Sequence, residues 1–392
     1  MEGVSKTYRI KSIDFVRGLV IVIMAIDHVR DLLHINSFSQ DPLDLKTTTP
    51  LLFMTRWITH LCAPTFVFLA GTSAYLMSLQ QNDLNKTRKF LLTRGLWLIL
   101  LELTVINLGV WSDFKFRTFL LQVIFAIGSG FCLLALFLKL RIRTLGVLAL
   151  VIIFSHDLLT GLKIENNQTL EFIRTLFFDR GFFKISEDRG IMVAYAAIPW
   201  FGIMLLGFVF GKVFTQSDQQ RKKSLLLAGL TTLGLFLLLR SVNIYGDSRH
   251  WSVQDSFLYS VFSFIDVSKY PPSLLYTCIT LGIMFFALRL ADAEDNVFVN
   301  FFRTFGKVPM FFYILHWYIV HVSMYIMVFM QGYSGSDIPL GIMQFGRPEG
   351  AGMSLGFVYL YWFFLIVCMY PLCRWYGNYK DSHPSKVWLK YL

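Results

Sequence analysis

The sequence predicts an all-α, polytopic transmembrane helix bundle of about ten membrane-spanning helices. Three observations carry that prediction. Hydrophobic residues make up 55% of the 392 positions and charged residues only 16%, whereas a soluble domain keeps about 25% charged. Mean hydropathy is +0.56. Apolar runs of the roughly 20 residues needed to cross about 30 Å of hydrocarbon recur along the chain, with short polar segments between them.

The first helix is predicted over about 13–34, within SIDFVRGLVIVIMAIDHVRD, and the second over about 50–80. The third covers about 90–111, the fourth about 118–138 and the fifth about 143–159. A long polar loop over about 160–189 follows. The sixth helix spans about 190–213 and the seventh about 224–241; a second long loop covers about 242–270. The eighth, ninth and tenth run over about 271–290, 308–331 and 355–373. The segment MEGVSKTYRIKSIDFVRG offers no small-residue cleavage site after its first apolar run, so that run reads as a retained helix. No repeat or linker interrupts the series, and residues 1–392 read as a single domain.

Net charge is +11. Basic residues of membrane proteins gather in cytoplasmic loops, so topology is favoured over nucleic-acid binding as its cause. Alternate connections, beginning with Lys6, Arg9 and Lys11, hold about 21 basic residues and the opposite set about 12. That asymmetry predicts cytoplasmic N- and C-termini in a multi-pass protein, with the two longest loops outside. The five cysteines show neither metal-site spacing nor a disulfide framework, and no metal is expected. Gly128, Gly130, Gly207 and Gly211 can pack helices within or between protomers.

Ionisable residues at membrane depth are costly and usually functional or paired. Arg17 and His28 are eleven positions apart, about 20° past three full turns, so they share a helix face about 16 Å apart along the axis. A cation at the cytoplasmic mouth and a deeper imidazole suit a long substrate with an anionic head, and histidine moves protons near neutral pH. Asp27, His28, Arg30 and Asp31 equally fit a solvated ring of charge at a helix end, and the spacing alone leaves both readings open. Arg56 and His60 lie on one face of the second helix at i, i+4, with Trp57 beside them. Pro64 frees a carbonyl four residues back. Glu102 requires a partner such as a buried Arg or His. His316, with Tyr313, is placed to line a cavity or to pack as a hydrogen-bonded histidine, while His321 is turned about 140° away. The sequence contains no GxxxxGK[ST], GxGxxG after a strand, HExxH or GxSxG, which argues against an ATP-driven pump, a dinucleotide enzyme, a zincin and a standard serine hydrolase.

SIDFVRG followed by an apolar helix ending in His resembles the opening of the acyltransferase-3 family, whose first helix has Arg, ten residues, then His. Arg17 and His28 keep that spacing. PTFVFLAG is similar to that family's apolar run ending in Ser-Gly, with Ala70-Gly71 here, and KFLLTRGLWLILLE resembles its basic segment, with Arg94 in the matching place. TRWITHLCAPTFVFLAGTSAYL, IPWFGIMLLGFVFG, KYPPSLLYTCITLGIM and GKVPMFFYILHWYIVH resemble the bacterial branch related to heparan-α-glucosaminide N-acetyltransferase, in order along most of the chain. The resemblance implies a transmembrane acyltransferase-like fold in a bacterial cytoplasmic (inner) membrane. It also implies transfer of an acetyl group from cytoplasmic acetyl-CoA to a sugar or small acceptor at the outer face. Arg17 and Arg94 would meet the CoA phosphates, and His28 would be the general base. His60 would assist, and Arg56 or Trp57 would orient the thioester or the acceptor. A homodimer is the corresponding oligomeric expectation. The chain departs from the lysosomal enzyme's motif at His28, where that motif has Asn, and at His60, where it has an acidic residue. That enzyme's histidine-containing segment between the first two helices has no counterpart here, so neither its catalytic histidine nor its glucosamine specificity is carried over. A proton-coupled transporter of a small anion or sugar is the alternative, since buried Arg56, His60 and Glu102 suit it, although no inverted repeat is evident. An accessory membrane protein without turnover is the third reading.

Overall fold

The computed structural model describes residues 10–159, 161–162, 164, 166–292 and 296–390. Lys6 and Arg9, counted toward the predicted orientation, lie outside the described residues. The described chain forms α1 (Lys11–Leu33), α2 (Pro50–Ile58), α3 (Cys62–Gln81), α4 (Leu84–Leu101), α5 (Asn107–Trp111), β1 (Thr118–Leu121), α6 (Val123–Phe137), α7 (Ile142–Ser155) and α8 (Gln168–Phe178). β2 (Gly181–Lys184), β3 (Gly190–Val193), α9 (Ala197–Phe210), α10 (Asp218–Val242), α11 (Phe257–Ile265), α12 (Leu274–Ala291), α13 (Val297–Gly306), α14 (Pro309–Met330) and α15 (Leu355–Ser382) follow.

The protein is an all-α polytopic bundle. Among the described residues, eight helical stretches are long and apolar enough to cross a membrane. Two further predicted helices complete the bundle. α6 is apolar but only 15 residues long. α1 carries Arg17, Asp27, Arg30 and Asp31 within its length, yet its apolar face is buried at Val16, Ile21, Ala25, Val29 and Leu32. It is the central helix, packed on α3, α12, α13, α14 and α15, and neighbouring helices rather than lipid shield its charges.

Side chains satisfy the helix starts where the sequence supplies caps. Thr49 accepts from the Leu52 amide ahead of α2, Asp83 from Asn85 and Lys86 ahead of α4, and Ser273 from Tyr276 ahead of α12. The second predicted helix is one span in two pieces, α2 and α3, joined by a 3-10 turn at Thr59–Leu61. Pro64 has no N–H to give the His60 carbonyl, and that carbonyl instead accepts from the Tyr276 hydroxyl at 2.8 Å. α4 passes through a π-helical turn, Glu102–Ile106, into α5. That turn aims Glu102 at the start of α6, where its carboxylate accepts from the Gln122 and Phe125 amides, both at 3.2 Å. The partner expected to be an Arg or His is therefore a helix N-terminus, whose unpaired amides and dipole favour a carboxylate.

Helices meet closely where glycine removes the side chain. A Cβ at Gly71 would strike the Met204 carbonyl, and one at Gly207 the Phe68 carbonyl, so α3 and α9 touch backbone to backbone. Gly128 packs on Gly95, Gly130 on Met204 and Gly211 on Tyr75, so these glycines serve contacts within the chain.

Residues 118–121 and 190–193 are strands where the sequence predicted the starts of the fourth and sixth helices. β3 pairs in parallel with β1 and antiparallel with β2. The pairing buries Leu121 and Val193 against Phe125, and the Asn107 side chain extends it by accepting from the Leu120 amide at 2.8 Å. The connections around residues 34–49, 112–122, 166–196, 243–273 and 331–354 meet at this end of the bundle. His34 bridges to Met353, Phe345 stacks on Phe38 and Trp111, and the Tyr259 hydroxyl donates to the Thr48 carbonyl at 3.1 Å.

Candidate active site

His28 lies one turn from the loop-rich end of α1 and retains solvent-reachable surface although its helix neighbours are buried. Its ring stacks on Trp317 at a centroid distance of 4.1 Å. Its Nδ1 lies 2.7 Å from Nε2 of His316 on α14. His316 is fully buried, and its Nδ1 lies 3.1 Å from the Phe312 carbonyl oxygen. A carbonyl only accepts, so His316 Nδ1 carries a proton and donates. In the neutral ring its Nε2 is then a lone pair. His28 Nδ1 must supply the proton between the rings, which leaves His28 Nε2 as the unprotonated, basic nitrogen. The pair thus presents one free imidazole nitrogen held in a fixed orientation.

Two clefts gather other residues of the candidate site; neither is lined by His28 or His316. The first, of about 310 Å³, is lined by Arg17 of α1 and Arg94 of α4 with Phe66, Met77, Phe90, Phe131 and Met310. Arg17 donates to the Leu69 carbonyl at 2.9 Å and to the Ser73 hydroxyl, so α3 holds the guanidinium at the cleft wall. The cleft joins two cations to an apolar lining.

The second cleft, of about 280 Å³, opens among the connections and is lined by Arg56, His60, Arg180, Arg249, Lys269 and Tyr270, together with Asp41, Asp157 and Asp179. Arg56 forms a salt bridge with Asp27, the residue next to His28, and Asp27 also pairs with Arg30 at 2.9 Å. A carboxylate at this depth is tolerable only with such partners. His60 Nδ1 lies 3.2 Å from the Arg56 carbonyl, so it donates there and its Nε2 is free to accept. Burial alone would raise the Tyr270 phenol; the charges of Lys269 and Arg56 outweigh it and hold the phenol below its ordinary value.

The loop carrying Lys269 and Tyr270 is fixed at both ends. Asp247 accepts from the Arg249 and Ser268 amides, both at 2.7 Å, and from the Ser273 hydroxyl at 2.6 Å. Arg240, fully buried, donates to the carbonyls of Arg249, Ser263, Phe264 and Asp266 and closes α11.

The structure brings Arg17 to Arg94, His28 to His316, and Arg56 to His60. Trp57 stands apart: its indole N–H donates to the Ile265 carbonyl at 2.9 Å. The sequence reading passed over Lys269, Arg180 and Tyr270. Their signal was weak, because a basic residue in a polar loop ordinarily reads as solvated. Among the described residues no group of His, Cys, Asp and Glu is arranged to hold a metal.

No curated protein matches the chain. The family model for heparan-alpha-glucosaminide N-acetyltransferase, catalytic, matches residues 9–245, a stretch that holds Arg17, His28, Arg56, His60 and Arg94 and more than half of the sequence. The chain therefore belongs to the heparan-alpha-glucosaminide N-acetyltransferase catalytic family, a membership that implies membrane acetyltransferase activity.

Proposed function

We propose that the protein transfers the acetyl group of acetyl-CoA to a sugar or small acceptor, with the donor entering at the Arg17–Arg94 cleft and the acceptor at the Arg56–His60 cleft. The observation that carries this reading is the oriented His28–His316 pair, whose helix α1 also supplies Arg17 to the apolar cleft and, through Asp27 beside His28, the partner of Arg56 in the polar one. CoA is long, anionic at one end and ends in a thioester. Two guanidiniums suit its phosphates, and an apolar lining suits the arm. His28 Nε2 takes the proton of the acceptor hydroxyl or amine as that group attacks the thioester carbonyl. The carbon–sulfur bond breaks, CoA leaves as the thiolate and is protonated to the thiol, and the acceptor keeps the acetyl group as an ester or amide. His60 assists at the acceptor side with Arg56, and Trp57 braces that helix against α11. Positive-inside asymmetry supports a donor cleft on the cytoplasmic face, cytoplasmic termini and, for a bacterial protein, residence in the inner membrane.

The test is acetyl-CoA turnover by detergent-purified protein, read as free thiol with envelope glycans and small acceptors supplied. The wild type releases thiol, and His28→Ala binds acetyl-CoA yet loses about 10²–10⁴-fold in rate. A wild type that neither binds nor consumes acetyl-CoA, with pH-gradient-driven solute uptake in proteoliposomes, would replace this reading with transport.

A further inference from the structure

The loop-rich cleft holds two cations that the transfer chemistry above leaves unused. Lys269 lines it and is only 8% exposed. Arg180 enters from the turn before β2. Both gather on one aromatic ring: Lys269 Nζ lies 5.0 Å and Arg180 Cζ 5.9 Å from the Tyr270 centroid. Lys269 also hydrogen-bonds the Tyr270 side chain, and neither that bond nor a cation–π contact supplies a carboxylate counter-charge.

The other charges of the cleft are already engaged. Asp27 binds Arg56, and Asp266 binds Arg249 at 3.3 Å. Asp179 binds Arg174 at 3.1 Å, and Asp157 accepts from the Leu274 amide at 3.0 Å. Asp41 accepts from the Leu43 amide at 2.9 Å. Among the described residues, neither Lys269 nor Arg180 joins a salt bridge, and Asp27 acts on Lys269 only through space. Burying an ammonium without a direct counter-charge is unfavourable, and the Asp247 and Arg240 networks hold the Lys269 loop in place regardless. The cleft is thus a built positive site that suits an anion. At about 280 Å³ it is near the small end of ligand pockets, the size of a single sugar-like unit.

We propose that Lys269 and Arg180, over the Tyr270 ring, form a subsite for a carboxylate or phosphate borne by the acceptor, so that the acceptor is an acidic sugar or other small acid. The inference rests on the acetyl-transfer reading for the word acceptor, but the subsite itself rests only on the cleft. Arg180 supplies paired N–H donors of fixed geometry and Lys269 a point charge. Together they hold the acid group in the cleft that His60 also lines.

The experiment has two arms on the full-length protein in detergent. Thiol release from acetyl-CoA is compared between glucose and glucuronate, and between glycerol and glycerol 3-phosphate, for wild type, Arg180→Gln, Lys269→Met and Lys269→Arg. The wild type favours the acidic member of at least one pair in kcat/KM by roughly tenfold or more, the worth of one charge-assisted hydrogen bond. That preference falls toward unity in Arg180→Gln and Lys269→Met and is partly kept in Lys269→Arg. Equal use of acidic and neutral members, or a preference that survives Arg180→Gln, overturns the proposal. Arg180 is exposed, so its variant is informative even where Lys269→Met fails to fold. In the second arm, inorganic phosphate is titrated calorimetrically without acetyl-CoA. Saturable binding lost in Arg180→Gln supports the subsite, and no saturable binding overturns it. If phosphate binds but no acceptor consumes acetyl-CoA, the subsite stands and the acetyl-transfer reading is what fails.

Discussion

His28 Nδ1 lies 2.7 Å from His316 Nε2, across 288 positions of sequence. Because the Phe312 carbonyl claims the other nitrogen of His316, the contact sets the tautomer of His28 and leaves its Nε2 basic. His316 is a positioning residue, acting through His28. His316→Leu is expected to lower kcat about 10- to 100-fold with little change in the KM for acetyl-CoA, the usual size of a lost orienting partner. His316→Gln, whose side-chain oxygen can still accept from His28 Nδ1, is expected to recover part of that loss. A profile of kcat against pH reads the same effect, since changing the partner of His28 moves its acidic limb. A residue that merely packs would lower folded yield and leave the profile where it was.

Arg17 and Arg94 reach one cleft from α1 and α4. If that cleft takes the CoA phosphates, removing one guanidinium raises the KM for acetyl-CoA roughly 10- to 100-fold while kcat at saturation changes much less. Arg17→Lys keeps the charge but loses the fork that also grips Leu69 and Ser73, so it falls between wild type and Arg17→Ala. Steady-state kinetics at several salt concentrations check this. A KM that ignores both substitutions would remove the donor from this cleft.

The parts of this arrangement that were legible in the sequence are those set by local periodicity. The 3.6-residue period alone places Arg17 and His28 on one face of α1 and Arg56 and His60 on one face of the second span, and the apolar runs locate the helices. What escaped depends on partners far away in the chain. The starts of the fourth and sixth predicted helices are strands, because TFLL and GIMV pair with each other and an apolar four-residue run has the same composition in either form. Glu102 is satisfied by amides about 20 residues on, reached only because of a π-helical turn. Lys269 is buried by networks centred on Asp247 and Arg240 that no local pattern announces.

Close backbone contact between α3 and α9 carries a stability prediction. Both Gly71 and Gly207 face a carbonyl of the opposite helix where a Cβ would collide with backbone, which cannot rotate away. Gly207→Val is expected to separate the helices and strip the packing around Phe68, Met204 and Phe208, at a cost of at least the roughly 1–3 kcal/mol typical of overpacking. Thermal unfolding in detergent reads this as a lower midpoint or as loss of monodisperse protein. Gly234 of α10, where a Cβ meets nothing within reach, serves as the control: Gly234→Ala leaves the midpoint unchanged or raises it, since alanine is the better helix former.

The Tyr270 phenol gives a direct reading of the field in the loop-rich cleft. Burial pushes it up, and Lys269 and Arg56 together bring it below its ordinary value of 10.0. In the difference absorbance of phenolate between wild type and Tyr270→Phe, one tyrosine is therefore expected to ionise at lower pH than a free tyrosine. Replacing Lys269 by Met leaves burial in place and removes the first of the two lowering charges, so the midpoint moves up. The linked stability follows in sign: a phenol whose folded value lies below its unfolded one adds stability at pH above the unfolded value, and that contribution disappears as pH falls through the folded value. The contribution is fully present only above the ordinary value of 10.0, so the lysine substitution is read on unfolding in alkaline solution. A phenolate that appears at or above the ordinary value in the wild type would mean that the cleft is not positive at Tyr270, and an anion would then have no reason to bind beside it.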